Sequence, residues 1–187
     1  MYKKYILIIL LISSVAFSQL HQLRKHQANE AKNIKYISAN IHLKNSYVDI
    51  ITNSTHRFIK SNGIPNHKVG KFPNKGNPHF ITPQKYSFKL NLNPKDLREP
   101  YMIHENKSIS GLPFGIALNG VMFVPSTAEY WNGNQKLGWN YCALGKGIHL
   151  GLDENYAHVQ PNGSYHYHGV SNYFLKNFII NKNNHSP

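Results

Sequence analysis

Three histidines lie on the two sides of a turn near the end of the chain. His158 precedes the turn sequence PNG, and His166 and His168 follow it within the alternating stretch YHYH. Neutral imidazole nitrogens are good ligands for Zn²⁺ and Cu²⁺, and three protein ligands leave a fourth position open to water or substrate. Histidines that alternate with tyrosines can also be ordinary packed strand residues, each hydrogen-bonded to backbone or to a carboxylate. The residue types leave both interpretations open.

The length of the loop decides whether the three rings can meet. Proline, asparagine and glycine in this order favour a three-residue loop, a type I turn closed by a G1 bulge. In that register His158 faces His166, and His168 lies on the same side of the ribbon. A two-residue loop would place His158 opposite Tyr167, on the other side. We favour the longer loop because the shorter one makes Pro161, which lacks an N–H, a paired strand residue.

Other residues near the hairpin are candidates for supporting roles. His149, Asp153 and Glu154 precede it and are candidates for outer contacts around a metal. The two acidic residues are also typical of a solvated turn, which we favour over a Ca²⁺ site because Ca²⁺ needs six or more oxygens. Trp131 and Trp139 lie in loops, where they would bind carbohydrate if exposed and anchor the loops if buried.

The segments that must position these residues are predicted to be strands. Short runs rich in β-branched and aromatic residues occur at 41–43, 47–51, 55–59 and 86–92. Residues 114–124 have Asn119-Gly120 between two apolar runs, which predicts a hairpin. The many glycines and prolines of residues 61–83 predict a long ordered loop. We therefore expect a mainly β fold, an antiparallel sandwich or barrel-like sheet with long loops, and no helix of three turns or more.

The amino-terminal residues predict export. A short basic start, an apolar run and small residues before Gln19 indicate a signal peptide over residues 1–18. A polar leader then covers 19–35, a single β domain 36–170, and a carboxyl-terminal tail 171–187. The apolar run is too short to span a bilayer, and no later segment could cross one. The expected location is therefore secreted or periplasmic, without a membrane span after signal cleavage.

The net charge limits the binding partners that we expect, and the cysteine count limits the possible cross-links. The formal net charge is +13, or 13 − 2 = +11 once Lys3 and Lys4 are removed with the signal peptide. This charge could attract an anionic glycan or surface polymer. Nucleic acid is not an expected partner, because the lysines are scattered and no run of five basic residues occurs. Cys142 is the single cysteine, so an internal disulfide is excluded, and we interpret it as a small buried apolar residue.

Several separate motifs resemble one known family. They are SNGIPNH at 61–67, ALNGV at 117–121, TAEYWNG at 127–133, GWNY at 138–141, LGLDENYAHVQP at 150–161 and YHYHG at 165–169. Together they resemble the bacterial secreted YHYH-domain proteins. The resemblance implies an exported bacterial protein and places the naming motif on Tyr165 to His168, but it implies no reaction. Similar proteins continue well past the motif, so the chain looks like the amino-terminal half of the family's unit, with residues 171–187 as a truncated tail.

These observations support three functional hypotheses. The first is an exported protein that binds zinc or copper through His158, His166 and His168. The second is a metal-dependent secreted hydrolase or nuclease, in which a general base would be needed near the metal. The third is a cell-wall or glycan-binding module that uses the two tryptophans. The sequence leaves open whether the protein is an enzyme, because it contains no nucleotide-binding glycine loop, no Gly-x-Ser-x-Gly and no HExxH, and only Asp153 and Glu154 are candidate bases.

Overall fold

The computed structural model describes residues 35–96, 113–124, 127, 129–145 and 147–179. The predicted signal peptide and almost all of the polar leader lie outside these residues. The described strands are β1 Ile41–His42, β2 Val48–Thr52, β3 His56–Ser61, β4 Lys68–Val69, β5 Tyr86–Asn91, β6 Gly115–Ile116, β7 Met122–Phe123, β8 Ala157–Val159 and β9 Tyr165–Tyr167. Within these described ranges there is one α-helix, α1, at Asn172–Ile179, and there are two single 3₁₀ turns, at Trp131–Gly133 and Gln135–Leu137.

The strands form three small sheets. β1 pairs with β4, β3 lies between β2 and β5, and the third sheet has the order β6-β7-β9-β8. All pairs are antiparallel except β7 and β9, which run parallel. The prediction of a mainly β fold is confirmed, although none of the sheets closes into a barrel. The parallel pair was not foreseen, because no local pattern records which distant strand lies beside another.

Two local predictions are confirmed by the backbone. Asn119-Gly120 forms the turn between β6 and β7, where the N–H of Ala117 donates to the carbonyl of Val121 at 2.8 Å. Gly120 has φ +79, the left-handed conformation that glycine adopts without a Cβ clash. Of residues 61–83, Ser61 ends β3 and Lys68–Val69 form the two-residue strand β4, while the others form the expected long loop.

The main core lies on the tyrosine side of β9. Tyr165 and Tyr167 are 1% and 0% exposed, as expected for the side of the ribbon that faces away from the histidines. They pack with buried apolar residues of β4, β8 and the β6–β7 hairpin; these are Val69, Ala117, Val121, Ala157 and Val159. Burial of two large aromatic rings stabilises a fold by several kcal/mol, at about 1.5–3 kcal/mol for a side chain of this kind. The core therefore holds β9 by its tyrosines and leaves its histidines to the other side.

Helix α1 packs against the same core. Phe174 is buried, and its ring centroid lies 4.7 Å from that of Tyr167. At eight residues, α1 is little longer than two turns, which is too short for an apolar period to be recognised in the sequence. It forms the start of the segment predicted as a tail. Among the described helices, none has the length and apolar character needed to cross a membrane.

Candidate metal centre

The histidine hairpin has the three-residue loop. The N–H of Gln160 donates to the carbonyl of Ser164 at 2.9 Å, and the N–H of Gly163 donates to the carbonyl of Gln160 at 2.8 Å. Gly163 has φ +84, as a G1 bulge requires. His158 consequently pairs with His166 across β8 and β9. The predicted register is confirmed.

The three imidazoles converge on one point. The Nε2 atom of His168 lies 3.0 Å from Nε2 of His158 and 3.2 Å from Nε2 of His166. The three ring centroids are 4.7, 4.8 and 4.9 Å apart, so the rings form a nearly equilateral triangle. A tetrahedral metal with Zn–N bonds of about 2.0–2.1 Å would hold its ligand nitrogens about 3.3 Å apart. The two Nε2 separations that involve His168 are close to this value, and the ligand nitrogens of all three residues lie within 4.8 Å of one another. We call His158, His166 and His168 the histidine triad.

Backbone carbonyls orient two rings of the triad. Nδ1 of His158 lies 3.0 Å from the carbonyl oxygen of Leu150, and Nδ1 of His166 lies 3.2 Å from that of Ser164. A carbonyl oxygen only accepts hydrogen bonds, so each contact is a hydrogen bond when the neutral ring carries its proton on Nδ1. Each Nε2 then has a free lone pair, and each lone pair faces the third ring. Protein metal sites commonly orient a histidine ligand in this way.

The third ring, His168, can donate a hydrogen bond from Nε2 to only one of the two other rings. Nδ1 of His168 is buried and has no partner within hydrogen-bond distance among the described residues, although the backbone of Val124 acts on this ring and opposes the fall of its pKa. If Nε2 of His168 carries a proton, it can donate to one of the other two rings and leaves the second without a partner. If it carries none, three lone pairs face one another. A cation at the centre accepts all three lone pairs, so the donor set fits a metal ion.

Burial keeps the triad neutral. It lowers the pKa of all three rings, because a charged imidazolium loses its hydration. For His166 the pKa is well below the usual value, since the two other rings add to the effect of burial. Burial, with His158 contributing, lowers the pKa of His168 to about 3. Neutral imidazole is the form that binds metals, so the triad is ready for coordination at neutral pH.

A cleft of about 330 Å³ opens beside the triad. All three histidines line it, so the centre of the triad faces space that could hold water or a small substrate. The other polar side chains of its wall include Asn77, His79, Thr127 and Glu129. The volume lies within the range of ligand sites, about 300–1,000 Å³.

Asn77 is a site residue that the sequence did not reveal. It is buried, its Nδ2 donates to the carbonyl of Val159 at 2.8 Å, and the same atom lies 3.2 Å from Nδ1 of His158. Asn77 thus ties the long loop of residues 61–83 to strand β8 beside the triad. The contact joins residues that are 81 positions apart, and no local pattern indicates it. His79 and Glu129 were missed for the same reason.

Asp153 lies on the tyrosine side of the sheet. It is 0% exposed, so the interpretation of this residue as part of a solvated turn is wrong. The hydroxyl of Tyr165 donates to its carboxylate at 2.7 Å, and the N–H of Gly70 donates at 2.9 Å. Burial raises the pKa of the Asp153 carboxyl, and these donors oppose the rise. Its polar contacts hold the core together rather than the triad.

Glu154 and His149 also point elsewhere. The carboxylate of Glu154 accepts a hydrogen bond from the N–H of Ala39 at 2.8 Å, and His149 is exposed. In the described part of the chain no hydrogen bond joins Asp153, Glu154 or His149 to the triad. Their role as outer contacts of a metal stays a prediction.

Both tryptophans are exposed, Trp131 to 49% and Trp139 to 64%. The ring of Trp131 contacts that of Tyr141 at a tilt, with centroids 5.1 Å apart, and the backbone N–H of Trp131 donates to the carbonyl of Trp139 at 2.8 Å. The loop is therefore not anchored by burial of its tryptophan side chains, although burial is more common for tryptophan. Cys142 is exposed as well, so its interpretation as a buried apolar residue is wrong.

The part of the chain that contains the triad matches a known protein family. The profile of the family described as YHYH protein matches residues 87–187, more than half of the chain. The chain belongs to the YHYH family. No curated protein and no solved structure matches it. The match covers the triad and Glu129 but begins after Asn77 and His79. The expectations of bacterial origin and of an amino-terminal half stay predictions.

The YHYH motif itself has a structural explanation. Along β9 the side chains alternate, so the tyrosines enter the core and the histidines face the cleft. The hydroxyl of Tyr167 lies 2.6 Å from Nε2 of His67 and accepts a hydrogen bond from Nδ2 of Asn119 at 2.9 Å. Both tyrosine hydroxyls thus have buried polar partners, and these fix the strand from behind. The position of the histidine rings depends on this support.

Proposed function

We propose that this YHYH protein is exported and binds one transition metal ion, zinc or copper, through the Nε2 atoms of the histidine triad. The observation that carries the proposal is the convergence of three imidazole nitrogens, from one buried and two half-buried histidines, that cannot all be satisfied by hydrogen bonds to one another. Such an arrangement costs free energy when nothing binds it, because buried polar atoms without partners have lost their hydration. A bound cation removes this cost.

The ligand atoms favour a particular class of metal. Imidazole nitrogen suits zinc and copper, whereas calcium and magnesium require oxygen ligands. The triad itself contains no carboxylate and no thiolate. Three protein ligands beside a cleft also resemble a site with an exchangeable fourth position rather than a closed structural site.

Export is supported by the sequence pattern of residues 1–18. A protein outside the reducing cytoplasm commonly gains stability from disulfides, which a chain with a single cysteine cannot form internally. A bound metal would supply a cross-link of a different kind between β8 and the end of β9.

The test is equilibrium metal binding by the purified mature protein, residues 19–187. We expect about one equivalent of Zn²⁺ or Cu²⁺ to remain after dialysis, measured by elemental analysis, with the affinity measured by calorimetry. His166→Ala should weaken binding by more than the roughly 10–100-fold that loss of an outer contact costs. The reason is that a ligand, rather than a supporting residue, has been removed.

His42→Ala is the matched control, because His42 is an exposed histidine on β1 outside the cleft. It should bind metal like the wild type. Circular dichroism must show that His166→Ala is folded; if it is not, His168→Ala, at a half-buried ligand, replaces it. Equal metal content in the wild type and a folded triad variant would contradict the proposal.

A further inference from the structure

Glu129 is the only acidic side chain among the described residues that line the cleft beside the triad. Its main chain is held in place, because the N–H of Tyr141 donates to the carbonyl of Glu129 at 2.9 Å. The adjacent Tyr130 and Asn140 form an antiparallel bridge. In contrast, the carboxylate of Glu129 has no hydrogen-bond partner within the described part of the chain. Glu129 thus has a fixed backbone at the wall of the cleft and an exposed side chain.

The other candidate bases are occupied elsewhere. Asp153 is fully buried on the tyrosine side, and Glu154 accepts a hydrogen bond from the backbone of Ala39. A general base has to reach the proton that it removes, directly or through one water. Within the described residues, only Glu129 shares the cleft with the triad and has a carboxylate free for this role.

We infer that the cleft is a hydrolytic site for carboxylic esters or amides in which Glu129 is the general base. The inference rests on the proposed metal binding and extends it. A metal held by three neutral histidines supplies Lewis acidity and makes a coordinated water more acidic. A carboxylate that reaches such a water would be the second component of a single-metal hydrolytic site.

The number of metals decides the substrate class. Enzymes that cleave phosphodiesters commonly use two metals about 3.5–4 Å apart, clamped around the attacking and leaving oxygens. In the described parts of this chain there is one cluster of three or more metal-binding groups, and it has no carboxylate that could bridge to a second ion. A single ion with a nearby base suits attack on a carbonyl carbon. The acyl substrate is therefore favoured over nucleic acid.

The reaction can be written with its atoms balanced. The carboxylate of Glu129 takes one proton from water, and the water oxygen forms a bond to the carbonyl carbon of the substrate. The C–O or C–N bond of the leaving group then breaks. The protonated Glu129 returns its proton to the leaving alcohol or amine. The products are a carboxylic acid and that alcohol or amine, and Glu129 is again a carboxylate.

Three proteins test the inference: the wild type, Glu129→Gln and Asp96→Asn. Glutamine keeps the size of Glu129 and cannot take up the proton. Asp96 is an exposed acidic residue outside the cleft, so its variant is the control for loss of one negative charge. Each protein is loaded with zinc, its metal content is measured, and hydrolysis of 4-nitrophenyl acetate and of a mixture of internally quenched peptides is followed.

We expect equal metal content in all three proteins and hydrolysis by the wild type and Asp96→Asn. Glu129→Gln should lose about a hundredfold or more in kcat/KM, the usual contribution of general base catalysis. Equal metal content with no hydrolysis above that of free zinc, or with full activity of Glu129→Gln, would overturn the inference and leave metal binding intact. A wild-type protein that binds no metal would overturn both.

Discussion

Each residue of the YHYH motif has one of two roles: the histidines form part of the candidate metal site, and the tyrosines support it from the core. His166 and His168 present nitrogens to the cleft, whereas Tyr165 and Tyr167 place hydroxyls in the core. The chemistry of the site depends on the protonation of three rings. Two of these donate to backbone carbonyls when their protons are on Nδ1.

The lowered pKa values predict an unusual dependence of metal affinity on pH. A lowered pKa means that a ring stays neutral where a free imidazole is protonated, so protons compete with the metal only in stronger acid. A site of three exposed histidines with pKa of about 6.5 would lose about a thousandfold in apparent affinity between pH 7.5 and 5.5. We expect the triad to lose less than about tenfold over the same interval.

The measurement is zinc affinity at both pH values by competition with a chelator, with a hexahistidine peptide as the exposed control. A loss as large as that of the peptide would show that the rings of the metal-free protein are protonated near pH 6 and would contradict the buried, neutral triad.

Among the elements, the hairpin of β8 and β9 sets the positions of the three histidines, and the length of its loop sets the register of the two strands. Gly163 has a positive φ, and its carbonyl accepts a hydrogen bond from the N–H of Thr82 at 2.9 Å. A Cβ at this position would collide with the side chain of Thr82. The loop of residues 61–83 therefore packs tightly against the turn that sets the histidine register. Any other residue at 163 would strain both segments.

Gly163→Ala should destabilise the protein more than Gly133→Ala does. Gly133 also has a positive φ, +67, but a Cβ there would meet open space. The backbone penalty, about 1–2 kcal/mol, applies to both variants. Gly163→Ala adds the collision with Thr82, which should cost a further roughly 1–3 kcal/mol. Urea unfolding of the metal-free proteins measures both, and equal losses of unfolding free energy would disprove the tight packing of the turn.

At the scale of the whole molecule, the candidate metal site belongs to a fold of small sheets with a basic net charge. Strand β4 and the four-stranded sheet contribute to a core of modest size, and a single exposed cysteine excludes an internal disulfide. The sequence has a net charge of +13, and the triad adds no negative ligand. A bound divalent ion would keep its full charge, so an anionic or carbonyl group is favoured at its fourth position.

Metal should also stabilise the fold as a whole, because the ion binds a site that only the folded chain assembles. At a free zinc concentration of 100 times Kd, the unfolding free energy should rise by about 2.7 kcal/mol, which corresponds to an increase in Tm of roughly 5–10 °C. Differential scanning calorimetry with zinc and with a chelator measures this. His158→Ala should show no increase and His42→Ala the full one; an equal increase in both would place the stabilising ion outside the triad.

Much of the local structure could be predicted from the sequence. The two hairpin turns follow from the φ preferences of proline, asparagine and glycine, and the register of β8 and β9 follows from the loop length. Once that register was known, the side of each histidine was determined by the two-residue period of a strand. The environment of Asp153 was not predictable, because its partner Gly70 is 83 residues away.

By itself, the sequence determined that three imidazoles lie on one side of a two-stranded ribbon and two tyrosines on the other, since these depend on neighbours in the chain. Only the tertiary structure decided what surrounds them. It placed Asn77 behind His158, and it put Glu129 and His79 in the wall of one cleft with the triad. Such contacts join segments that are distant in the chain, and their free energy comes from packing and burial that no short stretch of sequence contains.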